Sequence, residues 1–232
     1  MIKVRHAEER GLTRLSWLES RHSFSFGDYH DPDQTGFRAL RVINEDKVAP
    51  GRGFAPHSHK DMEIVTYMLA GALEHKDDAG SASVIAADEV QRMSAGTGIT
   101  HSEYNHSKTE PAHLLQIWIR PEMRGLEPGY EQRAFPPSEK RDRLCLIACR
   151  DGREGALVVR QDVAIYASVL DRDKAVSHRL APGRHAWLQV ARGDLNVNGR
   201  RLRAGDAAAV SEQEAIEIAS RSGAELLLFD LA

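Results

Sequence analysis

Cysteine is almost missing from this chain: two residues in 232, Cys145 and Cys149, both within RLCLIACR. Read as an alternating strand, such an i,i+4 pair stands about 13 Å apart, too far for a disulfide. A reducing compartment would also keep both as thiols, so they are expected to be small buried hydrophobes. Long apolar runs are missing too. No stretch approaches the roughly 18 residues of a membrane span, and MIKVRHAEERGLTRLSW has no apolar run of signal-peptide length. The expected compartment is the cytoplasm, with no membrane partner. Nor is there an excess of one charge: 31 Lys and Arg face 34 Asp and Glu, for a net charge of -3. That balance offers no general attraction for nucleic acid, and no direct nucleic-acid partner is expected. Long helical periodicity is the last absence; VRHAEERG and DRDKAVSHRL are at most short helices or loops.

Strand signals fill the space. FRALRVINED, EIVTYMLAG, SASVIAAD and HLLQIWIRP are short and rich in β-branched or aromatic residues, with turn residues between them. Within EHKDDAGSA, Asp77-Asp78-Ala79-Gly80 reads as a hairpin tip. Residues 120–143 hold four of the nine prolines and many charges, and read as an inter-domain connection. Strands resume in LCLIAC, ALVVRQDVAIYASVL, HAWLQVARG, DLNVNG and ELLLFDL, with Asn198-Gly199 as a two-residue hairpin turn. The halves look like degenerate copies of one β unit. The expectation is an all-β protein of two packed barrels or sandwiches: residues 1–135, with a linker from about 120, and residues 136–232.

Two short strings carry the chemistry. HSHKDME offers His57, His59 and Glu63, which project together if 57–63 is one extended strand. GITHSE offers His101 and Glu103 on one face. Facing strands of this kind give three imidazole nitrogens and a carboxylate oxygen, a set suited to Fe(II), Ni, Cu, Mn or Zn. Strand phase leaves open which glutamate takes part. Gly51, Gly53, Gly96 and Gly98 would let the backbone turn tightly beside the strings. His6, His22, His30, His75, His106, His113, His178 and His185 have no partner at ligand spacing and are expected to be surface or hydrogen-bonded residues.

The spacing from Gly51 through His57-x-His59 and Glu63 to Gly71, and from Gly98 through His101 to Asn105, resembles the two cupin motifs. The first is one residue longer than usual before its last glycine. In the second, Gly96 stands where a proline is usual. WLESRHSFSFGDYHDP, GFAPHSHKDMEIVTYMLAG, RMSAGTGITHSEYN, HLLQIWI and YEQRAF resemble the pirin family, including its bacterial quercetinase-like members. The resemblance implies a bicupin of two jelly-roll-like β-barrels. It implies one divalent transition metal held by His57, His59, His101 and Glu103, Fe(II) foremost, with Ni, Co, Mn, Cu or Zn as alternatives. In most other cupins the corresponding ligand would be Glu63. It further implies a dioxygenase opening the heterocycle of flavonols such as quercetin with dioxygen. The 3-oxyanion would lie on the metal, and Glu103 or Glu63 would take the proton as catalytic base. Val65, on the ligands' strand phase, is expected to form part of an apolar wall. In the second half, Pro182-Gly183-Arg184-His185-Ala186-Trp187 stands where a ligand pair would be, so a metal is expected only in the N-terminal barrel. A monomer is expected. The alternative function is a metal-binding regulatory protein whose protein partner is a transcription factor or metabolic enzyme.

Overall fold

The structure, a computed structural model, describes all 232 residues. Its helix is confined to Pro137–Lys140 and the 3-10 turns Ala7–Glu9 and Arg153–Gly155. The chain forms two compact units: Gly11–Ala134 with Leu157–Gln161, and Met1–Arg10 with Phe135–Ala156 and Asp162–Ala232. The first ten residues therefore differ from the expected division. They join the second unit because Ile2–Arg5 pairs antiparallel with Ala207–Val210, a partner some two hundred positions away. The stretch from 120, expected as a connection, also contains a strand. Gly129–Ala134 pairs with Glu89–Ser94 as the edge of a sheet, where polar side chains are tolerated and mask the strand signal.

The motif-bearing unit is a pair of antiparallel sheets. One has seven strands in the order Gly129–Ala134, Glu89–Ser94, Glu63–Ala70, Ala112–Ile119, Leu40–Val48, Leu18–His22, Gly11–Arg14. The other has four: Gly53–His59, Ile99–Asn105, Ala72–Asp77, Ala82–Ala86. At one end their facing sides close on an aliphatic cluster of Leu18, Val48, Met68, Leu73, Ile85, Ala112 and Leu114. Farther along the same faces, alternation delivers polar residues instead. Register places His22 opposite Asn44, Asn44 opposite Gln116, Gln116 opposite Thr66, and Thr66 opposite Gln91. This polar row is buried.

The other unit has a main sheet ordered Ile2–Arg5, Ala207–Val210, His185–Val197, Ala224–Leu231, Val163–Leu170, Cys145–Cys149. Asn198 and Gly199 join Val197 to Arg200 with φ of 45° and 84°, the two positive values of a type I′ turn. Cys145 and Cys149 end one strand as thiols, the Cys149 sulfur donating to Asp151 Oδ1 at 3.1 Å.

Candidate metal centre

His57 and His59 leave the edge strand Gly53–His59, and His101 and Glu103 leave its neighbour Ile99–Asn105. His101 lies directly opposite His57, and Glu103 opposite His75 on the third strand. The ladder between the first two strands shifts register: His101 faces His57 but Glu103 faces Phe54, so the edge strand carries an extra residue around Ala55-Pro56. Pro56 has no N–H to give the ladder, and a bulge there re-aims the next side chain. Gly53 is needed at the crossing, because a Cβ would collide with the Glu103 carbonyl and the Tyr104 backbone.

The three imidazoles converge. Ring centroids are 4.8 Å apart for His57–His59, 4.5 Å for His57–His101 and 5.0 Å for His59–His101. One ligand atom from each lies within 4.8 Å of the others. His57 Nδ1 donates to the Ala55 carbonyl at 2.8 Å, which leaves the lone pair on Nε2. His59 Nε2, His101 Nε2 and Glu103 Oε1 are buried without any hydrogen-bond partner. An unpaired buried acceptor ordinarily costs about 1–3 kcal/mol, which an ion at these atoms would offset. His59 and His101 cluster with His57, while Glu103 clusters with His101 and His75. Burial and neighbouring His57 push His59 down to about 4; burial and the surrounding histidines push His101 down to about 3. Both rings are thus neutral at pH 7, the form that binds a cation.

Glu103 is fully lodged in the interior. Gln116 Nε2 donates to its Oε2 at 2.9 Å, and Trp118 Nε1 donates to Gln116 Oε1 at 3.3 Å. The Trp118 ring meets His59 edge-on at 4.9 Å and Phe26 at 5.3 Å. Burial raises the Glu103 carboxyl above its ordinary range, opposed by the Gln116 bond. Beside His57 opens a groove of about 460 Å³ lined by Trp17, Phe54, Tyr104 and the 51–53 turn.

Glu63 stands elsewhere, against the expectation that 57–63 is one strand. The edge strand ends at His59, Asp61 turns with a φ of 50°, and Glu63 opens a strand of the seven-stranded sheet. Alternation there places Thr66 on the inward face beside Gln116, so Glu63 and Val65 point to the reverse face. Glu63 Oε2 accepts from Ser94 Oγ at 2.8 Å and from the Arg160 N–H at 3.2 Å. Val65 therefore forms no wall of the histidine cluster. Sequence reasoning missed His75 and Asp77. The two Nδ1 atoms of His75 and His101 are 3.3 Å apart, and His75 Nε2 lies 3.0 Å from Asp77 Oδ2. Burial pulls the Asp77 carboxyl up, but bonds from His75 and Ser81 hold it below its ordinary range. The signal was the H-x-D spacing of EHKD, hidden inside what reads as a turn.

Comparison with known proteins decides the family. The pirin model matches residues 3–119, and a model described as quercetinase C-terminal cupin domain matches residues 146–231. The chain belongs to the pirin family. A relative from Escherichia coli named quercetin 2,3-dioxygenase is 47% identical over 231 residues, spanning 100% of this chain and 99% of that one. The crystal structure of YhhW from Escherichia coli superposes with a TM-score of 0.96 at 47% identity, over 100% of this chain and 98% of that one. A second structure, bacterial pirin YhhW in complex with nickel(II), gives 0.95 at 47% identity, over 100% and 99%. This pirin is thus a bicupin, and its histidine cluster lies in the N-terminal cupin domain.

Proposed function

We propose that this pirin is a metal-dependent dioxygenase that opens the heterocycle of flavonols such as quercetin. The observation that carries the reading is the convergence of His57, His59 and His101, with partnerless buried nitrogens on His59 and His101, and with Glu103 close to His101. It is supported by the name of the Escherichia coli relative and by the nickel complex of YhhW. His57, His59 and His101 through Nε2, with Glu103 through Oε1, would hold one divalent transition ion; three imidazoles and a carboxylate suit Fe(II) and Ni alike. Such an ion favours the deprotonated form of a hydroxyl brought to it and supplies the redox partner that dioxygen chemistry requires.

The chain's own residues do the rest. Of the two glutamates, Glu103 shares the imidazole face, and its carboxylate beside the ion is placed to take the proton of the flavonol 3-hydroxyl. Gln116 holds the other carboxylate oxygen and so fixes which one faces the substrate. Trp17, Phe54 and Tyr104 along the groove beside His57 offer flat apolar surface to a planar polyphenol.

Protein loaded separately with Fe(II), Ni, Co, Mn or Cu is incubated with quercetin and oxygen, and flavonol absorbance is followed together with carbon monoxide release. Turnover is expected with at least one metal; none with any of the five removes the dioxygenase reading. On the same protein, Glu103→Ala should lower nickel affinity at least about 10-fold more than Glu63→Ala does. The reverse order would return the ligand to Glu63.

A further inference from the structure

The inward face of the four-stranded sheet carries a second polar pair beside the proposed ligands. The side chains of His75 and Asp77 have no exposed surface. They sit two apart on Ala72–Asp77, whose register sets Asp77 opposite His101 and His75 opposite Glu103. Proton accounting along this row is determined by the acceptors. Asp77 Oδ1 accepts from the Ser81 N–H at 2.8 Å, and Oδ2 lies 3.0 Å from His75 Nε2. A carboxylate only accepts, so Nε2 is a His75 nitrogen that carries a proton, and the tautomer with that proton alone keeps its lone pair on Nδ1. The atom facing that lone pair at 3.3 Å is His101 Nδ1, which must then be the donor. A neutral His101 protonated at Nδ1 has a bare Nε2, and His101 Nε2 is one of the partnerless buried atoms. The Tyr130 ring packs on His75 at 4.9 Å and restrains its tilt.

We propose that Asp77 and His75 are positioning residues that set the tautomer and ring angle of His101, so that Nε2 faces the ion. A metal-bound histidine commonly donates its other N–H directly to a carboxylate or a carbonyl. Here a second imidazole is interposed, giving a chain Asp77–His75–His101. It also accounts for the close approach of His75, His101 and Glu103: the His75 Nδ1 lone pair is used within the protein and is not offered to a cation. The proposal rests on the metal centre assigned above.

The test is made on the full chain. With ¹⁵N-histidine label and Zn²⁺ bound, NMR should show His101 protonated at Nδ1 and His75 at Nε2, with a scalar coupling between the two Nδ1 nuclei. His101 protonated at Nε2, or no coupling across the pair, overturns the proposal. In parallel, His75→Leu should bind nickel about 10–100-fold more weakly while keeping one ion per chain. His75→Gln, whose amide oxygen can accept from His101 Nδ1, should recover most of that loss. An affinity for His75→Leu within twofold of the parent overturns the relay. His57→Ala separates the two ideas. Nickel retained in that variant removes the centre itself, whereas nickel lost there but unaffected in His75→Leu removes only the relay.

Discussion

Along Ala112–Ile119 the inward positions run Leu114, Gln116, Trp118; along His185–Val197 they begin Ala186, Leu188, Val190. Both strands are central, both alternate, and both sit in cupin-type domains. In the first, the aliphatic cluster fills one end of the interior, and the other end keeps Gln116, Glu103, His101 and His75 buried, with lone pairs on His101 and Glu103 unspent. In the second, Leu188, Val190, Leu195, Val197, Leu202, Ile216, Ile218, Leu226 and Leu228 pack as one apolar cluster in the interior. The degenerate motif of the second half also lies on the wrong side. With Ala186 and Leu188 inward, His185 and Trp187 point to the reverse face, where His185 Nδ1 bonds Ser211 Oγ at 2.8 Å. A filled barrel gains stability from every methylene; a barrel with a site forgoes part of that gain and leaves polar groups for an ion to satisfy.

The comparison is broken most directly by removing one histidine from each domain. His101→Ala takes away a donor and should lower nickel affinity by more than about 100-fold, read by isothermal titration and by elemental analysis of the purified protein. His185→Ala removes hydrogen bonding only; about 1–2 kcal/mol of stability is expected to go, with nickel affinity unchanged. Equal effects of the two on nickel would mean that the ion does not sit in the N-terminal domain.

A second substitution tries to build the missing motif. Trp187→His recreates the H-x-H spacing at 185–187, yet Trp187 is 3% exposed and paired with Phe229 and Ala209. Loss of so large a buried side chain should cost about 3–5 kcal/mol in urea unfolding, with no second nickel bound. A second stoichiometric ion would show that spacing alone makes the site and that the filled interior is irrelevant.

These contrasts also mark what could be read from the chain. The pairings His57–His59 and His101–Glu103 were legible because alternation is local, each pair being two apart on one strand; the meeting of His57, His59 and His101 was anticipated only through the family resemblance. The turns at 78–80 and 198–199 were legible for the same reason, since Asp-Asp-Ala-Gly and Asn-Gly carry their own conformations. Glu63 was misplaced because HSHKDME looks continuous. Three residues at Lys60–Met62 carry the chain from one sheet to the other and reverse the phase, and a one-residue change of phase flips every later side chain. His75, Asp77 and Gln116 were illegible because their roles depend on which strands pair and in what register, which is long-range information. The first ten residues illustrate the same limit: IKVR is too short to announce a partner near residue 208.

The last contrast concerns a buried acid of the site-bearing domain, Asp46. Asp46 lies in the interior with Oδ1 unpartnered, and burial, reinforced by Glu103 and Glu45 and opposed by a Ser20 bond, raises it from 3.8 to about 7. A raised carboxyl contributes stability that is full below its unfolded value and is lost as pH rises through about 7. His59 and His101 work the other way. Lowered from 6.5 to about 4 and about 3, they contribute stability that is full above 6.5 and is lost as pH falls through those values. Between pH 4 and 6.5 the metal-stripped protein therefore sets proton uptake by the folded state at Asp46 against uptake by the unfolded state at the two histidines. Asp46→Asn, nearly isosteric with the protonated acid, deletes the first contribution alone. Across that window the slope of unfolding free energy against pH should become more positive by about 1.4 kcal/mol per pH unit, measured by urea unfolding at a series of pH values. Parallel curves for variant and parent would mean that Asp46 is ionised in the folded protein, and that the polar interior stores charge rather than protons.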